Sequence, residues 1–141
     1  VRSDARGGVA FLLAALSPFC AGAQGSGAPE VKFGEPFELQ AGQTVSVGGE
    51  LVLTFLAVAQ DSRCPKGEQC ITAGKARVRF EAAPRGGEPV AFELETGGAS
   101  ESGELEIAGY RITLLDLGPY PVTGRPIVPE AYTASLTVRK I

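Results

Sequence analysis

The chain has no histidine, no tryptophan and no methionine, and only three cysteines among its 141 residues. Without an imidazole, the side chain most often used for general acid-base work near neutral pH is missing. The same absence removes the usual partner of cysteine in a zinc site, which needs about four ligands. No Ser-x-x-Lys or Gly-x-Ser-x-Gly context occurs to activate a serine nucleophile. No Asp-x-Asp-x-Asp-Gly loop occurs to hold calcium. Lysines and arginines are scattered on a chain of net charge −3, so no basic stripe tracks a phosphate backbone, and nucleic-acid binding is excluded. Nothing here implies a cofactor.

What is abundant is glycine, with 19 residues, and proline, with 10. Together they point to many short strands joined by turns in one domain. The first 23 residues read as an export signal. Arg2 and Arg6 open it, Val9 to Leu16 is a short apolar run, and Ala21-Gly22-Ala23 is a small-x-small cleavage pattern. The apolar run is shorter than the ~20 residues that a spanning helix needs, so no transmembrane span is expected. Cys20 offers a rival reading as a lipid anchor, although Phe19 stands where that processing wants a small residue. The expected organisation is signal 1–23, linker 24–30 and a folded domain over 31–141. Location is accordingly expected to be periplasmic or secreted, with membrane attachment as a lipoprotein the alternative.

Period-two alternation then recurs. Ala76, Val78 and Phe80 alternate with Arg77, Arg79 and Glu81; Val90, Phe92 and Leu94 with Ala91, Glu93 and Glu95; Tyr132, Ala134, Leu136 and Val138 with Thr133, Ser135, Thr137 and Arg139. Each is the pattern of a strand with one face in a core. Leu51 to Val58 is apolar on both faces and is placed centrally. Gly48-Gly49 and Ala108-Gly109 read as tight hairpins. About seven short strands at this spacing predict an all-β fold: an antiparallel β-sandwich, immunoglobulin-like, with one disulfide.

The disulfide follows from Cys64 and Cys70. Two thiols cannot make a zinc site, Cys-x-x-Cys is absent, and an even pair in an oxidising compartment defaults to a staple. Closing so short a loop stabilises by about 2 kcal/mol. Within it Pro65 and Gly67 set the bend and Lys66 is left outward. Lys66 is a candidate binding residue; a rigid loop with a basic tip also suits a protease inhibitor, and ordinary solvation is the third reading. Tyr120 is the second candidate, set among the four prolines of Gly118 to Glu130. It either anchors a partner or caps the core. Glu93 and Glu95 form the only carboxylate pair besides Glu104 and Glu106 with catalytic spacing, but cross-strand ion pairs with Arg77 and Arg79 explain them better.

Asp61-Ser62-Arg63-Cys64-Pro65, then Cys70, then Ala73-Gly74-Lys75-Ala76, resembles the signature of a group of small exported bacterial proteins, many of them lipoproteins. Leu115 to Pro121 and the strand bearing Tyr132 are similar to later segments of that group. Thr72 stands where those proteins often carry tryptophan. The resemblance covers about Val45 to Arg139 and implies export and this fold, with no catalytic residue. The expected role is therefore a non-catalytic binding module with an unidentified protein or envelope partner.

Overall fold

The structure, a computed structural model, describes residues 27–96 and 103–141. The expected signal with Cys20, most of the linker and the connection over 97–102 lie outside the described residues. Among the described residues there are nine strands: β1 (Glu30–Val31), β2 (Phe37–Gln40), β3 (Thr44–Val47), β4 (Leu51–Asp61), β5 (Ala76–Pro84), β6 (Val90–Thr96), β7 (Gly103–Ile107), β8 (Tyr110–Gly118) and β9 (Thr133–Lys140). They form two sheets, β1-β3-β4-β5-β6 and β2-β9-β8-β7. The all-β sandwich is the fold.

β3 to β9 correspond to the about seven strands expected from the sequence; β1 and β2 are additions, β1 too short at two residues to show a period. Strand pairing starts at Glu30, which pairs in parallel with Ser46, one residue inside the segment expected as linker. Strands β3 to β6 follow one another across the first sheet, and β7 to β9 do so in the second. The order is thus closer to two meanders than to the more interleaved immunoglobulin arrangement. Only β1 and β2 interleave, one on the edge of each sheet.

The expected inner faces pack as read. Phe55, Phe80, Leu94, Ile112, Leu114, Leu136 and Val138 are buried in one core between the sheets. Across adjacent strands Phe55 meets Phe80 in a tilted arrangement and Phe80 stacks on Phe92, with ring centroids 5.3 and 5.7 Å apart. β4 is central, third of five, but its second face is not covered. Val52 and Leu56 remain exposed, because a two-layer sandwich buries only one side of each sheet.

Turn chemistry holds the hairpins. Gly48 and Gly49 both take positive φ, at 57° and 68°. In the Ala108-Gly109 turn both residues do so as well, including Ala108 at 51°, as a two-residue turn between right-twisted strands requires.

Bulges shape the end of the sandwich that matters most. β4 slips register twice, between Phe55 and Ala57 and between Val58 and Gln60. Phe55, Val58 and Asp61 therefore come opposite Phe80, Val78 and Ala76, all on the inner face. β8 slips once between Leu114 and Asp116, which returns Leu117 to the core opposite Ala134. Such irregularities commonly re-aim side chains beside a site, and here both bulged strands end at the same place.

Candidate functional site

Asp61 ends β4 on the inner face, and Arg63 turns back onto it two residues later. Arg63 Nε donates to Asp61 Oδ1 at 2.9 Å and Nη2 to Oδ2 at 2.8 Å, the two-pronged geometry of a guanidinium on a carboxylate. The same guanidinium donates to the Leu117 carbonyl at 2.7 Å and the Pro119 carbonyl at 3.1 Å. Tyr132, at the entry to β9, donates its hydroxyl to Asp61 Oδ2 at 3.0 Å. Arg63 is only 5% exposed, so one buried cation joins β4, the end of β8 and, through Asp61, the start of β9. The two separate segments of the signature resemblance meet on this side chain.

The electrostatics follow from burial. Desolvation pushes the Asp61 carboxyl up, but the Arg63 hydrogen bonds and charge, helped by Tyr132, outweigh it and hold it below its ordinary value. For Tyr132, desolvation and then the hydrogen bond to Asp61 push the phenol up to about 12. The cluster is therefore a fixed ion pair with a neutral tyrosine at neutral pH, a brace rather than a proton donor.

On this brace sits the cysteine loop. Cys64 and Cys70 are bonded, with Cα atoms 5.9 Å apart, within the usual range for a disulfide. Ser62 and Cys64 anchor the loop's stem. The Ser62 amide and hydroxyl both donate to the Lys75 carbonyl, at 2.8 and 2.9 Å, and the Cys64 amide donates to Ala73 at 2.9 Å. Gly74 permits this closeness: a Cβ there would stand 1.7 Å from the Ser62 carbonyl oxygen. Thr72 is exposed.

Lys66 and Tyr120, on loops far apart in sequence, are neighbours. The Lys66 ammonium stands 5.6 Å from the centroid of the Tyr120 ring, and the Arg63 guanidinium stands 5.1 Å from it. Backbone bonds tie the two loops together. The Lys66 amide donates to Pro121 at 3.0 Å, and the Thr123 amide and hydroxyl both donate to the Lys66 carbonyl at 3.2 Å. Tyr120 is 43% exposed, so it does not cap the core; Tyr132, at 9%, does. Two concavities flank the proline loop. One, of about 480 Å³, runs from Asp61, Arg63 and Tyr132 past Pro65 and Glu68 to Arg125. The other, of about 310 Å³, lies beside Tyr120.

Glu93 and Glu95 do make the expected cross-strand ion pairs. Arg77 reaches Glu95 at 3.3 Å and Glu93 at 3.5 Å, and Arg79 reaches Glu93 at 3.7 Å. Glu104 and Glu106 pair with Arg111. All lie on solvated faces. Among the described residues, no cluster of three or more His, Cys, Asp or Glu is placed to hold a metal ion, and no helix is long and apolar enough to cross a membrane.

The sequence pointed to Lys66, Tyr120 and the cysteines but not to the Asp61, Arg63 and Tyr132 brace beneath them. The available signal was an Asp-x-Arg at the end of a strand, which without the bulge positions reads as surface charge. Compared with known protein families, curated proteins and solved structures, the chain matches none of them.

Proposed function

We propose that this chain is an exported, non-catalytic binding module, periplasmic or secreted, that contacts an envelope or protein partner through the surface carrying Lys66 and Tyr120. The observation that carries the reading is the Lys66 to Tyr120 contact on two loops braced by the disulfide, by Arg63 and by the Lys66 backbone bonds. A surface ordered before binding loses little conformational entropy on docking, and an exposed tyrosine on it supplies contact area with few rotatable bonds. The formed disulfide supports an oxidising compartment. Affinity capture from envelope extracts, with the oxidised chain beside a Lys66→Ala, Tyr120→Ala variant, tests it. Partners should be retained by the first and lost by the second; equal recovery removes the assignment. Fatty-acid labelling that disappears in Cys20→Ser would add a lipid anchor.

The protease-inhibitor reading stands second. An inhibitory loop offers its backbone to the enzyme, whereas the Lys66 amide and carbonyl are both engaged within the chain. Inhibition of a trypsin-like enzyme that vanishes with Lys66→Ala would reverse that order.

A further inference from the structure

The segment from Leu117 to Pro121 uses its carbonyls unevenly. Those of Leu117 and Pro119 accept from Arg63, and that of Pro121 accepts from the Lys66 amide. Because a trans peptide points its N–H opposite its C=O, the Tyr120 amide is directed away from the Pro119 carbonyl, and so away from Arg63. Among the described residues, nothing hydrogen-bonds to the Tyr120 amide or carbonyl. One residue thus keeps a donor and an acceptor unmet on a half-exposed edge. Pro119 and Pro121, lacking amide hydrogens, stop a longer strand from pairing there.

Beside this edge lies the 310 Å³ groove, walled by Pro119, Tyr120, Val122, Ile127 and Val128, with Arg125 the only charged residue on its lining among the described residues. Among the described residues, Arg125 and Lys66, like Lys32, Arg85 and Arg139, have no carboxylate within ion-pair distance, while Arg63, Lys75, Arg77, Arg79, Arg111 and Lys140 do; of the five free cations only Arg125 lines this groove. Glu68 lines the larger cleft and not this groove. Apolar walls, one cation and one unmet backbone pair form a complementary set. The geometry points to a docking site for an extended acidic peptide segment of a partner protein, with an apolar side chain in the groove, a carboxylate on Arg125 and its backbone bonded to Tyr120. Main-chain bonds supply affinity in this mode, and the side-chain pocket and charge supply selectivity.

This inference rests on the binding-module reading and is tested separately from it. End-blocked hexapeptides alternating leucine with glutamate, glutamine or lysine are immobilised and probed with the oxidised full chain. The glutamate peptide should bind at least tenfold more tightly than the other two. Arg125→Gln should erase that preference, and Val128→Glu, which puts a negative charge on the exposed groove wall, should cut binding of the glutamate peptide about tenfold. By NMR the Tyr120 amide should exchange quickly in the free chain and slow when that peptide is bound. Equal binding of the glutamine or lysine peptide, binding of none, or an unchanged preference in Arg125→Gln overturns the peptide site. If envelope capture still depends on Tyr120 in that event, the peptide site falls and the binding module stands.

Discussion

The Arg63 guanidinium grips the Asp61 carboxylate with two parallel hydrogen bonds of 2.9 and 2.8 Å while its remaining donors hold the chain at Leu117 and Pro119. Two residues two positions apart in sequence thereby fix a loop more than fifty positions away.

Asp61→Asn should cost about 3 to 5 kcal/mol, because it leaves the Arg63 charge buried without its counter-charge. Arg63→Lys should not rescue the fold, since an ammonium cannot reproduce a fork that reaches one carboxylate and two carbonyls together. Urea unfolding followed by far-ultraviolet circular dichroism measures both.

Stability should fall at both ends of the pH scale for reasons lodged in one cluster. The folded carboxyl of Asp61 titrates below its ordinary 3.8, so its contribution is complete above that value and is lost as pH drops through the folded one. The Tyr132 phenol is raised from 10.0 to about 12, so its contribution is present below pH 10 and is lost as pH climbs towards 12. That interval corresponds to on the order of 2 to 3 kcal/mol. Urea midpoints between pH 9 and 12 should decline less in Tyr132→Phe than in the parent chain.

Replacing Cys64 and Cys70 by serine should lower stability by about 2 kcal/mol and leave the sandwich folded, since the core lies between the sheets and not under the loop. The local consequence should be larger than the global one. Hydrogen exchange at the Thr123 amide, which donates to Lys66, should accelerate well beyond that of core amides such as Phe80.

Gly74→Ala should be among the most damaging small substitutions, costing more than about 2 kcal/mol. The added carbon would stand 1.7 Å from the Ser62 carbonyl oxygen, at a residue with φ of 66°. Gly49→Ala is the control, with a similar φ of 68° and open space around the added carbon. The gap in melting temperature between the two reports the contact alone.

Ala108→Asn should stabilise by up to about 1 kcal/mol. Ala108 occupies a left-handed conformation, at φ 51°, that asparagine tolerates better at the first position of this turn. Thermal melting reads the change.

Much of this molecule is legible along the chain. Alternation at Ala76 to Phe80 and Tyr132 to Val138 predicted inner faces that are buried, and the charges between them predicted the ion pairs of Arg77 and Arg79. β1 escaped notice because two residues cannot display a period, and β2 because, unlike the equally short β3 beside the Gly48-Gly49 turn, no hairpin turn joins it to a longer run. The brace escaped for a different reason. Asp61 reaches the inner face through two bulges, Leu117 through another, and bulges break the very alternation by which faces are assigned.

Local chemistry, then, determined which residues form strands, where glycine and proline turn the chain, and that Cys64 and Cys70 close a short loop, since each depends on neighbours within a few positions. Tertiary structure alone decided that Lys66 and Tyr120 share one surface, and that Asp61, Arg63 and Tyr132 lie beneath it. Those contacts join segments more than fifty residues apart, and they form only once hydrophobic burial has packed the two sheets and set the ends of β4, β8 and β9 side by side.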